Sequence, residues 1–313
     1  MESNYEILKK FYKINHKQLL FLEEKHIENN NFIHMYVYDY TNELENFKKT
    51  FNEYFPFYVD NYDSMKYYNL DKNIEEELIK QSKKLWSSSY VDNRDINKWG
   101  IFGELFVDFL VRIVYENETM LTYASKKAYN DRNEFKGIDN LACSLNNDEL
   151  EIIMSEVKFV STLSTAKAEL ISDIEGEYDQ NGNLTKKGHL NSDVINSYVG
   201  GFALKQQESV GKILLEEAAN KISQLNQKIV AEDNSFIEAM NSLNFRIRFI
   251  YFAIFKSSYK DPLNILKYYN EIITAFNKQI VELGLNNYDL DIVFIPTDNS
   301  SSNIKEKMVE IYE

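Results

Sequence analysis

Residues 136–160 read Lys136-Gly-Ile-Asp-Asn-Leu-Ala-Cys-Ser-Leu-Asn-Asn-Asp-Glu-Leu-Glu-Ile-Ile-Met-Ser-Glu-Val-Lys-Phe-Val160. Two strand-like runs, Ile138–Leu145 and Glu149–Val160, flank the triplet Asn146-Asn147-Asp148. Asn and Asp tolerate tight-turn backbone and bond to their own main chain, so the triplet predicts a hairpin between two antiparallel strands. Side chains alternate across a strand, which puts Glu156 and Lys158, two residues apart, on one face. Asp139 lies at the start of the first strand, just after Gly137-Ile138.

Upstream, the clearest helix is Asn97–Tyr115, where Phe102, Leu105, Phe106, Phe109, Leu110, Ile113 and Val114 recur at helical spacing. Glu104 and Asp108 fall off the centre of that stripe. Met120–Tyr129 reads as another strand. Nearer the N-terminus, Tyr5 to about His26 predicts a helix broken by Asn29-Asn30-Asn31, and Phe32–Tyr38 a strand. Glu43–Phe55 and Asn73–Leu85 read as helices, the first ended before Pro56. Downstream, Ser164–Ser172 is helical, and Asp173–Asn191 is a polar surface hairpin or loop. Helix resumes at Val194, is interrupted at Gly200-Gly201, and runs from Ser209 to Ala231. Asn244–Phe255 is a strand with Arg246 and Arg248 on one face. Leu263–Leu283 is a helix opened by Pro262, Asp291–Pro296 a last strand and Asn303–Tyr312 a short helix.

Helices on both sides of a run of strands predict an α/β fold with a mixed central sheet. There is no repeat, low-complexity linker or shift in composition, so residues 1–313 are expected to form a single domain. Its core spans about 97–255, with an N-terminal elaboration over 1–96 and a C-terminal strand and helices over 256–313.

The 313 residues include 22 Tyr and 20 Phe and are 44% hydrophobic, ample for a buried core. The lone cysteine, Cys143, excludes an internal disulfide and a multi-Cys zinc knuckle, and points to a reducing cytoplasm. The N-terminus lacks signal-peptide character, and no apolar run approaches the ~20 residues that span a bilayer. The net charge of −14 runs against the basic face that phosphate backbones attract, so any nucleic-acid substrate is expected to be delivered by a partner. For most of those charges solubility is an equally good reason.

Helical Glu104, then Asp139, then Glu156-x-Lys158 is the order of a metal-dependent phosphodiesterase site of the PD-(D/E)xK kind. Phosphodiester hydrolysis needs a hard cation to polarise the phosphate and acidify a water. Mg²⁺ keeps several waters and needs few carboxylates. Asp139 and Glu156 are candidate ligands, with the Val157 carbonyl as a third and Glu104 as a further ligand or orienter. The Lys158 ammonium would position the nucleophilic water or stabilise the transition state. Glu-x-Lys also occurs at Glu23/Lys25 and Glu134/Lys136, so the ordered combination carries the signal. The competing reading is structural: Asp139 ends a turn, and Glu156 and Lys158 form an ion pair.

At Gly103-Glu104, Lys136-Gly137-Ile138-Asp139, Ser155-Glu156-Val157-Lys158-Phe159 and, more weakly, Val293-Phe-Ile-Pro296, the sequence resembles the HamA family. This is the DUF1837-type effector of the Hachiman anti-phage defence system, a PD-(D/E)xK-like nuclease that acts with the helicase HamB. The resemblance implies Asp139, Glu156 and Lys158 as catalytic residues with Glu104 as acidic partner. It implies Mg²⁺ (Mn²⁺ as the alternative) as cofactor, DNA as substrate and a helicase that restrains or loads the nuclease. A non-catalytic adaptor and an RNA-cleaving enzyme with the same site stay open as alternatives.

The four histidines, His16, His26, His34 and His189, are scattered and read as ordinary surface or core residues. Lys126, Lys127, Arg132 and Lys136 form the best basic cluster, either a phosphate contact or a solvated strand edge. No phosphate-binding glycine loop is present, so intrinsic ATPase activity is not expected.

Overall fold

The computed structural model describes residues 19–27, 31–38, 80, 100–113, 119–120, 138–146, 149–199, 213–232, 235–256, 262–299 and 303–304. Its strands are β1 (Leu19–Ile27), β2 (Asn31–Tyr38), β3 (Thr119–Met120), β4 (Asn140–Asn146), β5 (Glu149–Val160), β6 (Gly176–Tyr178), β7 (Leu184–Lys187), β8 (Arg246–Lys256) and β9 (Tyr288–Thr297). Its helices are α1 (Gly100–Ile113), α2 (Leu163–Glu175), α3 (Ile213–Glu232), α4 (Phe236–Ser242) and α5 (Pro262–Leu283), and residues 192–199 are also helical.

Seven strands make one mixed sheet in the order β1-β2-β9-β8-β5-β4-β3. The inner four, β2, β9, β8 and β5, are parallel to their neighbours among themselves, and antiparallel pairs close both sides. The expected hairpin joins β4 to β5, with Asn146 paired to Glu149 across Asn147-Asp148. β8, α5 and β9 form a βαβ unit, the crossover that parallel neighbours require. β2 and β9, which flank the expected core in sequence, are interior strands of this same sheet.

One face of the sheet buries Ile152, Met154, Phe249, Tyr251, Ile292 and Phe294 against α2 and α5. Ile265, Tyr269, Ile272, Phe276 and Ile280 recur every three or four residues on α5 and are all buried there. On the opposite face α1 lies against β5. Gly103 permits that approach, since a Cβ there would sit 3.0 Å from Val157 Cγ1. α2 starts at the Thr162 cap, whose hydroxyl accepts the Thr165 N–H at 3.1 Å. α4, not foreseen from the sequence, starts with a capping box between Ser235 and Glu238.

A ladder of ions fixes the register of the inner strands. Arg246 reaches Glu149 of β5 at 3.3 Å and Asp289 of β9 at 3.2 Å. Arg248 reaches Glu151 at 2.9 Å, Asp289 at 3.2 Å and Asp291 at 3.3 Å. Asp291 also meets His34 Nδ1 of β2 at 2.8 Å. The two arginines share a face, as their spacing predicts. A slip of one residue would turn the whole ladder into the apolar face, so the register is strongly specified.

Two expectations are corrected. Residues 19–27 are a strand, not the end of a helix running from Tyr5. Antiparallel pairing with β2 supplies β1 with backbone partners, and tertiary pairing overrides the helical spacing of Leu19 and Leu22. Asp108 is fully buried, where it accepts Asn140 Nδ2 at 3.1 Å, so α1 is enclosed more widely than its apolar stripe implies. The expected helix at 43–55, the basic cluster at 126–136 and Gly200-Gly201 lie outside the described residues. So does the helix expected at 73–85 except for Lys80, which is helical. Only residues 119–120 of the expected strand at 120–129, and residues 303–304 of the last helix, are described. Among the described residues, no helix is long and apolar enough to cross a membrane.

Phe276 is fully buried with its ring 5.5 Å from Phe249 and 5.8 Å from Tyr288. Phe276→Ala should lower unfolding free energy in denaturant titrations by about 3–5 kcal/mol. Val281→Ser, on the exposed side of the same helix, should stay within about 0.5 kcal/mol.

Candidate functional site

Glu156 and Lys158 project from the face of β5 that carries α2, and Lys158 Nζ donates to Glu156 Oε1 at 2.8 Å. The same ammonium contacts Asp173 Oδ2 in the last turn of α2. Chain geometry explains the meeting. From Val160 back to Glu156 is ~13 Å at ~3.3 Å per strand residue, and Leu163 to Asp173 is ~15 Å at ~1.5 Å per helical residue. A helix that folds straight back over β5 therefore returns Asp173 to the level of Glu156 and Lys158.

Asp139 precedes β4 and lies beside β5, where its Oδ2 accepts the Val157 N–H at 2.8 Å. Glu104 is half-buried on α1, directly after the glycine that abuts Val157, so its helix covers the other face of β5. Asp139, Glu156 and Lys158 thus come together around residues 156–158, with Asp173 joining them.

His189 follows β7, the second strand of the hairpin that leaves α2. Its backbone N–H donates to the Asp173 carbonyl at 2.6 Å, and its Nε2 stands 4.0 Å from Glu156 Oε2. Two glycines make the crossing possible. Gly176 has φ +90°, and a Cβ on Gly188 would fall well inside contact of the Ile174 carbonyl and 2.7 Å from Gly176 N. Lys186 Nζ, on β7, completes the rim by donating to Asp173 Oδ1 at 2.9 Å and to Glu177 at 3.3 Å.

The site is buried and short of positive charge. Glu156 is only 7% exposed, and its Oε2 has no hydrogen-bond partner. Burial first, then the charges of Asp139 and Asp173, push its carboxyl well above the usual range, against the pull of Lys158. Burial works against the Lys158 ammonium, but Glu156 and Asp173 outweigh it and raise its pKa. Burial likewise opposes ionised Asp173, yet Lys158, His189 and Lys186 hold its pKa below the ordinary value. Tyr251 pairs with Glu156 across β5 and β8, and its buried hydroxyl has no hydrogen-bond partner. Burial and the negative charge of Glu156 and Asp173 keep that phenol neutral. Tyr198 is raised for the same reasons, with Asp139 contributing.

This donor set fits a divalent cation. Ligand atoms of Glu156, Asp173 and His189, all three buried, lie within 4.8 Å of one another. With Asp139, three carboxylates stand about the half-buried Lys158 ammonium, with Lys186 reaching Asp173 from the rim, and a divalent ion would offset the remaining excess. Sequence reading missed Asp173 and His189. Asp173 opens a polar stretch that reads as surface, and His189 has no second ligand at sequence spacing. Gly176 and Gly188, bracketing the hairpin, were the available signal.

The raised pKa of Glu156 fixes a sign for pH. A carboxyl whose folded pKa is raised contributes stability below its ordinary pKa and loses it as pH rises through the folded value. Lys158 and Asp173 are shifted away from neutrality, so they do not titrate between pH 5 and 8. Over that window the melting temperature of the protein kept in chelator should fall more steeply with pH than that of Glu156→Gln. Gly188→Ala should cost about 1–3 kcal/mol in denaturant titrations, because the new methyl overpacks the crossing of two backbones.

No curated protein matches the chain. The HamA family model matches residues 10–311. That match covers nearly all of the 313 residues, and the chain belongs to the HamA family, that of the Hachiman defence system.

Proposed function

We propose that the chain is a Mg²⁺-dependent nuclease that hydrolyses DNA phosphodiester bonds as effector of an anti-phage defence system, restrained or loaded by a HamB-like helicase. The observation that carries this reading is the pair of buried Glu156 and half-buried Lys158, set beside Asp139 with more negative charge than the site's cations offset. A lysine and several carboxylates gathered between a sheet and the helix folded over it are costly as structure, and perturbed groups of this kind cluster at functional sites.

In this reading Glu156 and Asp139 hold the cation, with the Val157 carbonyl and Glu104 as further candidates. An ion held there would supply the polarisation of the scissile phosphate and the acidification of water that the reaction needs. Lys158 keeps its proton throughout the working pH range, since Glu156 and Asp173 raise its pKa, and so offers a fixed positive charge to the phosphate oxygens. Asp139 is oriented by the Val157 N–H, which holds its carboxylate next to β5. Tyr251 stays protonated and borders the same space. Family membership and the net charge of −14 support a partner that brings DNA to the site.

Purified protein should degrade plasmid in Mg²⁺ and not in EDTA, alone or with an ATP-hydrolysing partner. The double change Glu156→Ala, Lys158→Ala should reduce the rate at least about a hundredfold. Cleavage of total RNA with plasmid intact would reassign the substrate to RNA. No cleavage of either, with or without the partner, would favour an adaptor role.

A further inference from the structure

We propose that Asp173 and His189 complete, with Glu156, a mixed oxygen–nitrogen site that takes a divalent transition ion such as Mn²⁺ in preference to Mg²⁺. The inference deepens the nuclease reading by naming ligands outside its expected set, although the binding it describes is measurable without any activity.

Three independent features converge. Glu156 Oε2 is buried, lacks a hydrogen bond and stands 4.0 Å from His189 Nε2. The Asp173 carboxylate completes the group within 4.8 Å, with all three residues buried. Lys158 Nζ lies between Glu156 Oε1 and Asp173 Oδ2, so these two carboxylates already converge on one positive charge. The chain is also built to deliver the imidazole. The hairpin β6–β7 leaves the end of α2 and returns at once, and the His189 N–H bonds to the carbonyl of Asp173 itself. Gly176 and Gly188 have the backbone freedom and the absent Cβ that this crossing needs.

Ligand chemistry then biases the choice of ion. Mg²⁺ favours an all-oxygen shell rich in water; Mn²⁺ accepts the same carboxylates but tolerates an imidazole better, and later divalent ions favour it more strongly still. Two carboxylates and one imidazole leave coordination positions for water or a phosphate oxygen. The Asp173–Asn191 stretch is thereby a ligand-bearing arm and not a surface decoration.

The test is Mn²⁺ and Mg²⁺ titration of the full-length chain by calorimetry, without nucleic acid, beside His189→Gln, His189→Ala and Asp173→Asn. The wild type should bind Mn²⁺ at least about tenfold more tightly than Mg²⁺. Each His189 change should weaken Mn²⁺ about tenfold or more and leave Mg²⁺ within about twofold; Asp173→Asn should weaken both. Electron spin echo spectra of the Mn²⁺-loaded wild type should show nitrogen coupling that His189→Gln abolishes while the melting curve stays within a few degrees. Unchanged Mn²⁺ affinity in both His189 variants, or no nitrogen coupling in the wild type, would overturn the proposal. If cleavage then still depends on Glu156 and Lys158, the nuclease reading survives alone. Nitrogen-ligated Mn²⁺ with no cleavage of any substrate would uphold this site and sink that reading.

Discussion

A single half-buried ammonium ties the sheet to the helix folded back over it. Lys158 on β5 meets Glu156 on its own strand and Asp173 on α2, which fixes where that helix ends relative to the strand. Desolvating such a group is expensive, and its attraction to two carboxylates offsets the penalty only while both stay in place. Removing one partner from a buried pair of this kind typically costs about 3–5 kcal/mol, whereas apolar residues of equal volume would pack with less strain on solvation. The arrangement is therefore poor value as scaffolding. It makes sense as a functional site, in which one ion-pair network holds charged side chains of β5 and α2 together.

The two faces of the sheet use charge differently. On one, Arg246 and Arg248 connect carboxylates on β5 and β9, and Glu149, Glu151, Asp289 and Asp291 each touch a guanidinium. That ladder crosses three adjacent strands and locks their register. On the other, a carboxylate oxygen of Glu156 and the hydroxyl of Tyr251 remain buried without hydrogen bonds, beside Lys158, Asp173 and His189 and next to an apolar layer. Satisfied charge specifies the fold, and unsatisfied charge marks where chemistry is expected.

Much of the fold was legible from local pattern. The β4–β5 hairpin, α1, α5 and β8 follow from turn chemistry and from apolar residues at two- or three-to-four-residue spacing, signals that depend on a few neighbours in the chain. Residues 19–27 misled because Leu19 and Leu22 fit a helix as well as a strand, and only pairing with β2 decides between them. Asp108 and Asp173 misled in the same direction. An acidic side chain reads as solvent-facing until Asn140, or Lys158 and Lys186, is brought to it from a distant segment.

Sequence by itself determined the mixed α/β class, the hairpin and the shared face of Glu156 and Lys158, because strand alternation is a property of the backbone at any such position. It also ordered Glu104, Asp139 and the Glu-x-Lys pair along the chain. Tertiary structure alone decided that β9 enters the middle of the sheet between β2 and β8. It also decided that Asp173 and His189 share space with Glu156. The reason is physical. Those contacts join segments separated by 16 to 33 residues or more, and they form only once helix length, two glycines and the packing of α2 on β5 are all satisfied together.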